Sequence, residues 1–159
     1  MKGIYLIVLI AKTWAYISGP PSNACSDMAP RHGRSGQTSS VFDFFDVSIS
    51  NTTVKSGESV SIRLVSKSGD FKGFLVQVED ESTAVKGSFS IENGMQSICS
   101  GGVSHANASP KSDINLEWTA TGTTGNHTIF ATIVRDYTTY WVKSDLGQVT
   151  VVWRDHFFN

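Results

Sequence analysis

The 159-residue sequence contains only two cysteines, Cys25 and Cys99, which lie far apart in the chain. Structural zinc sites use closely spaced cysteine pairs with histidines nearby, and redox-active cysteines usually occur as C-x-x-C. Neither pattern is present, so the spacing of the cysteines argues against both kinds of site. In an exported protein, two distant cysteines are typical of one structural disulfide bond, and a lone nucleophilic cysteine is the alternative.

Long apolar segments are also missing, apart from a short run near the first residue. Residues 4–11 are apolar, Lys2 precedes them and small residues follow, which is the arrangement of a secretory signal peptide. The run is too short for a membrane helix, which needs about 20 residues. We therefore predict a signal peptide over residues 1–15, cleaved after Ala15, with cleavage after residue 18 or 19 as the alternative.

Neither sign of charge dominates, because 13 basic residues face 14 acidic ones. Removal of the leader takes away Lys2 and Lys12 and no acidic residue, so the mature chain is mildly acidic. Nucleic-acid-binding proteins and membrane-lysing peptides are usually basic. We therefore expect a soluble, secreted protein with no nucleic-acid partner and no membrane span.

Motifs for catalysis are absent as well. The sequence contains no G-x-S-x-G elbow and no plausible Ser/His/Asp set. Its neighbouring carboxylates, at Asp43 and Asp46 and in the cluster 79–81, lack the signs of a cleft that would raise the pKa of one of them. We expect a protein that is not an enzyme and has no cofactor and no catalytic residues.

The four histidines, His32, His105, His127 and His156, are scattered and not spaced as metal ligands. We therefore expect no metal site. His32 and His105 lie near Cys25 and Cys99 in sequence, so a disulfide bond could still bring these two together. The simpler expectation is that His105 bonds backbone near the bridge and that His32 packs on the arm described next.

Residues 16–40 are rich in glycine, proline and serine, which predicts an extended N-terminal arm anchored at Cys25. Period-2 alternation then begins and continues to the end of the chain. It predicts strands near 45–49, 60–64, 74–78, 88–91, 114–118, 128–134, 140–142 and 148–153. This pattern indicates an all-β protein with an antiparallel, immunoglobulin-like β-sandwich of about eight strands over residues 41–154. We expect 16–159 to form a single domain.

Two details of the pattern predict where side chains lie. The segment 74–78 is apolar on both parities, as in a strand that is covered on both faces. The tryptophans Trp118, Trp141 and Trp153 alternate with polar neighbours, so we expect all three to fill the sandwich core.

Six blocks of the sequence follow one another in a recognisable order. The first reads A-C-S-D-M-A-P-R-H-G, and together they occupy residues 24–33, 71–77, 97–105, 116–120, 130–134 and 140–142. In order and content these blocks resemble the reeler domain. The resemblance implies an immunoglobulin-like sandwich with a Cys25–Cys99 bridge.

A reeler domain by itself behind a signal peptide resembles the secreted defence proteins of insects, including the nodulation-mediating ones. The resemblance implies a non-enzymatic hemolymph protein that binds bacterial surface components, such as lipopolysaccharide or other wall polymers. It would promote aggregation, nodulation or an antimicrobial response. The alternative is an extracellular adhesion or matrix module that binds heparin-like glycans or a host receptor. The ligand-binding residues and the oligomeric state stay open.

Three N-x-[ST] sequons occur, at Asn51, Asn107 and Asn126. In a secreted chain such sites carry glycans where they lie on the surface. Asn51 and Asn126 are expected at strand edges or turns and are the stronger candidates. Asn107 is the weaker one because its sequon uses serine and is followed directly by Pro110.

Overall fold

The computed structural model describes residues 18–154, so the predicted signal peptide at 1–15 and His156 lie outside the described residues. Two short 3-10 helices, Ser22–Ala24 and Val41–Asp43, precede the strands. The ten strands are β1 Phe45–Ile49, β2 Thr53–Lys55, β3 Ser59–Ser66, β4 Gly73–Asp80, β5 Ser88–Phe89, β6 Met95–Ile98, β7 Gly102–His105, β8 Asp113–Thr119, β9 Gly125–Val134 and β10 Tyr140–Val152.

The strands form two sheets that pack face to face. One has four strands in the order β1-β3-β8-β5, and the other has six in the order β2-β10-β9-β4-β7-β6. Every named pair is antiparallel except β2 and β10, which run parallel. The predicted all-β sandwich is therefore confirmed.

Every second side chain along a strand points into the space between the two sheets and fills it. On β3, Val60 and Leu64 are buried, and they lie opposite Trp118 and Ile114 of β8. Ile62 and Leu116 are buried in the same way, and the residues that alternate with these buried positions face outwards and are exposed or half-buried. Full burial of one aliphatic side chain contributes about 1.5–3 kcal/mol, so this two-residue alternation is what fixes the register of the strands.

Several strands differ from the sequence prediction. Strands β2, β6 and β7 were not predicted, since each has only three or four residues and carries mixed polar positions. The two strands predicted at 140–142 and 148–153 are one strand, β10. Its pairing with β9 shifts between Trp141 and Ser144 and again between Asp145 and Gly147. These irregularities hide the continuity of β10 from a simple period-2 pattern.

The three predicted core tryptophans do not share one environment. Trp118 and Trp141 are fully buried, and the Trp118 indole donates a 2.9 Å hydrogen bond to the Lys86 carbonyl. The prediction for Trp153 was wrong, because this side chain is 77% exposed. Val151 has the same parity and is buried, but β10 ends at Val152, so Trp153 lies past the edge of the sheet.

The N-terminal arm lies against the outer face of the six-stranded sheet. Because of this cover, seven of the eight residues of β4 are buried, on both faces of the strand. Ala24 and Met28 of the arm are themselves buried. The two-sided cover predicted for 74–78 is therefore confirmed, and the arm supplies the second side.

A disulfide bond between Cys25 and Cys99 joins the arm to the sandwich. Cys99 occupies the turn between β6 and β7, in which Cys99 and Ser100 both have positive φ. The side chain of Gln77 on β4 donates a 3.3 Å hydrogen bond to the Cys25 carbonyl. The predicted pairing is thus present, and it lies at the edge of the arm-covered face, outside the core.

We predict that replacing Cys99 with serine lowers stability and leaves the sandwich folded. The bridge closes a long loop, which by chain entropy contributes about 4 kcal/mol to the free energy of unfolding. Urea unfolding measures the loss, and far-UV circular dichroism reports the β content. The Cys25→Ser/Cys99→Ser double variant controls for the free thiol, and loss of the β signal in it would contradict an arm-anchoring role.

Candidate functional site

A cleft of about 270 Å³ lies between the arm and the outer face of the six-stranded sheet. One wall comes from the arm and the other from β4, from the end of β9 and from the loops next to them. Most of the lining is apolar and includes Pro20, Pro21, Ala24, Met28, Leu75 and Val134. A preformed apolar hollow with a few polar groups is the usual form of a small-molecule site.

The arm wall is held by a buried threonine. The Thr132 hydroxyl on β9 donates a 2.7 Å hydrogen bond to the Met28 carbonyl and accepts one of 2.9 Å from the Lys143 amide. Thr132 is almost fully buried. The bond to the Met28 carbonyl is buried and the bond from the Lys143 amide is partly buried, so losing the hydroxyl would leave the Met28 carbonyl without its partner away from water.

A second anchor joins the arm to the β9–β10 turn. An imidazole nitrogen, Nδ1 of His32, lies 3.1 Å from the Tyr137 carbonyl oxygen, and the Tyr137 hydroxyl donates a 2.8 Å bond to the His32 carbonyl. The two rings stack with centroids 4.7 Å apart, while Tyr140 meets His32 edge-on at 5.2 Å. The Tyr140 hydroxyl donates to the Arg34 carbonyl, and the Gln37 amide donates to the Tyr140 carbonyl. His32 was expected to pack on the arm, but its ring packs against Tyr137 and Tyr140 outside the arm and so joins the arm to the sheet.

His105, at the end of β7, lies on the opposite side of the same cleft. Its Nδ1 is 3.0 Å from the Phe74 carbonyl oxygen and 3.1 Å from the Phe74 amide nitrogen. Gly73 leaves the space for the ring, since a Cβ there would lie 2.7 Å from Cε1 of His105. His105 thus bonds backbone, as the sequence predicted, and it lines one cleft together with His32.

Two charged residues lie at the edge of the cleft, Lys72 and Asp136. The Asp136 carboxylate accepts bonds from the amides of Thr138 and Thr139, at 2.8 and 2.9 Å, and from the Thr138 hydroxyl. Partial burial opposes ionisation, but these hydrogen bonds prevail and hold the pKa of Asp136 below its usual value. Asp136 therefore fixes the turn that carries Tyr137. The Lys72 side chain is exposed.

Residues 18–154 contain no group of three or more His, Cys, Asp or Glu side chains arranged to hold a metal ion. His127, the other buried histidine, bonds the Thr123 hydroxyl through Nε2 at 2.7 Å and the Gly125 carbonyl through Nδ1 at 2.9 Å. It supports the turn before β9 and lies outside the cleft lining. Within the same described range, no helix is long and apolar enough to cross a membrane.

The sequons at Asn51 and Asn126 lie outside the lining of the apolar cleft, whereas Ala108 of the Asn107 sequon lines it, and glycosylation of all three stays a prediction. Asn51 is exposed just after β1, and Asn126 is exposed at the start of β9. Asn126 Oδ1 accepts a 2.9 Å bond from the Thr150 hydroxyl. Asn107 is half-buried, and its Oδ1 accepts from the Ser109 amide.

The sequence model of the reeler domain matches residues 23–156 of this chain. The chain belongs to the reeler domain family. The matched region contains the arm from Asn23 onwards, both cysteines and all ten strands. The residues that line the cleft therefore all belong to the reeler domain, apart from Pro20 and Pro21 just before it.

Two kinds of protein are similar to this chain in sequence. It is 32% identical to human "Ferric-chelate reductase 1" over 149 residues, which is 87% of this chain and 24% of that protein. It is 30% identical to "Putative defense protein 2" of the insect Antheraea mylitta over 156 residues, covering 90% of this chain and 95% of that one. The chain spans about a quarter of the length of the reductase relatives and nearly the whole length of the insect relative.

A solved structure shares the fold. The human F-spondin reeler domain superposes with a TM-score of 0.60 at 19% identity, over 80% of this chain and 99% of that chain. At that identity the likeness concerns the sandwich alone.

Several residues that build the cleft were not predicted from the sequence. Thr132, Tyr137 and Tyr140 were interpreted only as parts of strands or turns. Two-sided burial of 74–78 was the available signal, because a covered outer face needs polar partners for the covering backbone. The identity of those partners depends on how the arm crosses the sheet, which the strand pattern does not encode.

We predict that Thr132→Val destabilises the reeler domain by about 1–3 kcal/mol, since it leaves the buried Met28 carbonyl and the partly buried Lys143 amide without this partner. The two side chains have the same shape, so packing is retained. Thr128→Val, on the same face of β9 but half-exposed, is the matched control. Equal urea midpoints for the two variants would contradict the anchoring role of Thr132.

Proposed function

We propose that this reeler domain is a secreted, non-enzymatic defence module that binds a bacterial surface component through the cleft between arm and sheet. Lipopolysaccharide is the ligand that fits best, and other wall polymers with an apolar part are the neighbouring choices. The single observation that carries the proposal is the cleft itself: apolar, preformed and anchored on both sides.

The size and lining of the cleft favour an apolar group of modest length. A hollow of about 270 Å³ lined by proline, alanine, methionine and leucine side chains offers little to a bare sugar. It suits a segment of one acyl chain, and burying each methylene contributes about 0.8 kcal/mol. Lys72 at the edge lies where an anionic headgroup would emerge, and its exposed ammonium adds a modest, salt-sensitive attraction.

The rigidity of the arm also favours ligand binding in the cleft. The disulfide bond, the Thr132 hydroxyl and the His32–Tyr137 pair hold the arm before any ligand arrives. A preorganised site avoids the entropy of ordering its own wall during binding.

The similar proteins support the biological role that we propose, which is defence outside the cell. The insect relative named as a defence protein aligns over nearly its whole length, and a disulfide bond is typical of extracellular proteins. Both support an extracellular protein, with hemolymph as the proposed compartment. Aggregation or nodulation of bacteria would require at least two clefts in one assembly, since cross-linking two cells needs a multivalent binder. No feature of the cleft specifically favours the alternative, an adhesion or matrix module.

The test is binding of the mature, disulfide-intact protein to immobilised lipopolysaccharide and to whole bacteria, measured against an unrelated sandwich domain. We predict that Ala29→Phe, which fills the cleft from the arm, weakens lipopolysaccharide binding by about tenfold or more. Ser48→Phe, exposed on the four-stranded sheet, is the matched control and should bind as the parent does. Retention no better than that of the unrelated domain would overturn the proposal.

A further inference from the structure

A second hollow, here called the polar groove, lies on the other side of the loop at residues 106–110. Its volume is about 360 Å³, and it is more open and more polar than the cleft. Phe74 borders both hollows, so they are neighbours in space. Three segments meet at the groove: the turn before β6, the loop after β7 and the start of β8.

The walls of the groove are fixed by backbone hydrogen bonds. In the turn before β6, the Met95 amide donates to the Glu92 carbonyl at 3.0 Å, and Gly94 adopts φ +83°. The Ala106 amide donates to the Gly94 carbonyl at 2.8 Å and so ties the loop to that turn. The polar side chains therefore project from backbone that is already held in place.

The side-chain amides of two asparagines, Asn107 and Asn115, line the groove and offer hydrogen-bond donors. Oδ1 of Asn107 accepts from the Ser109 amide at 3.1 Å, and Oδ1 of Asn115 accepts from the Ser61 hydroxyl at 2.7 Å. Each oxygen thus accepts one bond from the protein, and each NH2 group offers two donors. Glu92 and Asn93, exposed in the turn, add a carboxylate acceptor and another amide.

Two of the three charged residues that line the groove, Lys111 and Asp113, are already bonded to the protein, and Glu92 is the third. The Lys111 ammonium donates to the carbonyls of Lys72, Asn107 and Ser109 at 3.2, 2.9 and 2.7 Å, which uses all three of its N–H groups. The Asp113 carboxylate pairs with Arg63. Among the residues that line the groove, no cation is left to bind a phosphate or sulfate.

We infer that the polar groove is a binding site for a neutral saccharide, separate from the apolar cleft. Sugar hydroxyls both donate and accept, so they match a wall that mixes amide donors with a carboxylate acceptor. The half-buried side chain of Met95 provides apolar contact for the C–H face of a sugar ring. The inference goes beyond the proposed function, because it rests on other residues and stands whether or not the cleft binds a lipid.

The experiment uses the full mature chain carrying Ser109→Ala. This change removes the Asn107 sequon, so no attached glycan can occupy the groove, while it keeps the Asn107 amide. Neutral oligosaccharides built from glucose, mannose or N-acetylglucosamine are titrated at millimolar concentration, with a heparin-derived oligosaccharide and inorganic phosphate as anionic probes. Side-chain amide signals of Asn107 and Asn115 in NMR spectra report binding at the groove.

We expect at least one neutral oligosaccharide to shift both amide signals, and the anionic probes to shift neither. Asn115→Asp keeps the bond from Ser61 but replaces the amide donor by a carboxylate, and it should weaken binding about three- to tenfold. Gln148→Glu adds the same charge elsewhere and should leave the affinity unchanged. Ala29→Phe, which fills the cleft, should also leave saccharide binding intact.

Two results would overturn the inference. One is the absence of shifts at Asn107 and Asn115 with every neutral oligosaccharide. The other is stronger binding of the anionic probes at the same signals. Failure here with lipopolysaccharide binding intact removes only the saccharide site, while the reverse pattern removes only the cleft proposal.

Discussion

The cover that the N-terminal arm places over β4 is the constraint on which the rest of the structure depends. A central strand with apolar side chains on both faces needs a second layer, because one sheet can cover only one of them. The arm cannot pair as a strand there, so its backbone groups take partners from side chains instead. Thr132, Gln77 and Tyr137 each bond an arm carbonyl. The cleft is the space that remains where this cover is incomplete.

The sequence contained most of the fold and little of the site, for physical reasons. Long strands such as β3 and β8 alternate strictly because one face is buried and the other is wet, so period 2 is visible. Short strands such as β6 and β7 are stabilised by the hairpin and the disulfide bond, and their own side chains carry no clear period. The exposure of Trp153 shows that alternation along a strand does not predict burial beyond the last residue of the strand. Thr132 shows another limit, because a buried hydroxyl and an exposed one are identical in sequence.

The two hollows differ in the chemistry of the side chains that line them. The cleft is apolar and has an exposed cation, Lys72, near its edge, while in the polar groove Lys111 and Asp113 are bonded to the protein and the Glu92 carboxylate and the asparagine amides form the polar walls. The loop at 106–110 separates them, and Lys111 holds that loop by bonding its carbonyls. Burial lowers the pKa of Lys111, yet its ammonium faces three carbonyl oxygens that favour the charged form. A ligand with an apolar and a hydroxyl-rich part could meet both surfaces, although each is argued from its own residues.

Hydrogen exchange of the arm amides tests the central claim most directly. The amides of Met28 and Gln37 donate to the carbonyls of Ala24 and Tyr140, at 2.8 and 2.7 Å. If the arm is an integral layer, these amides exchange orders of magnitude more slowly than in an unfolded chain, and β4 is protected on both faces. Exchange of the Met28 and Gln37 amides at the rates of an unstructured peptide, with the sandwich still protected, would contradict the account.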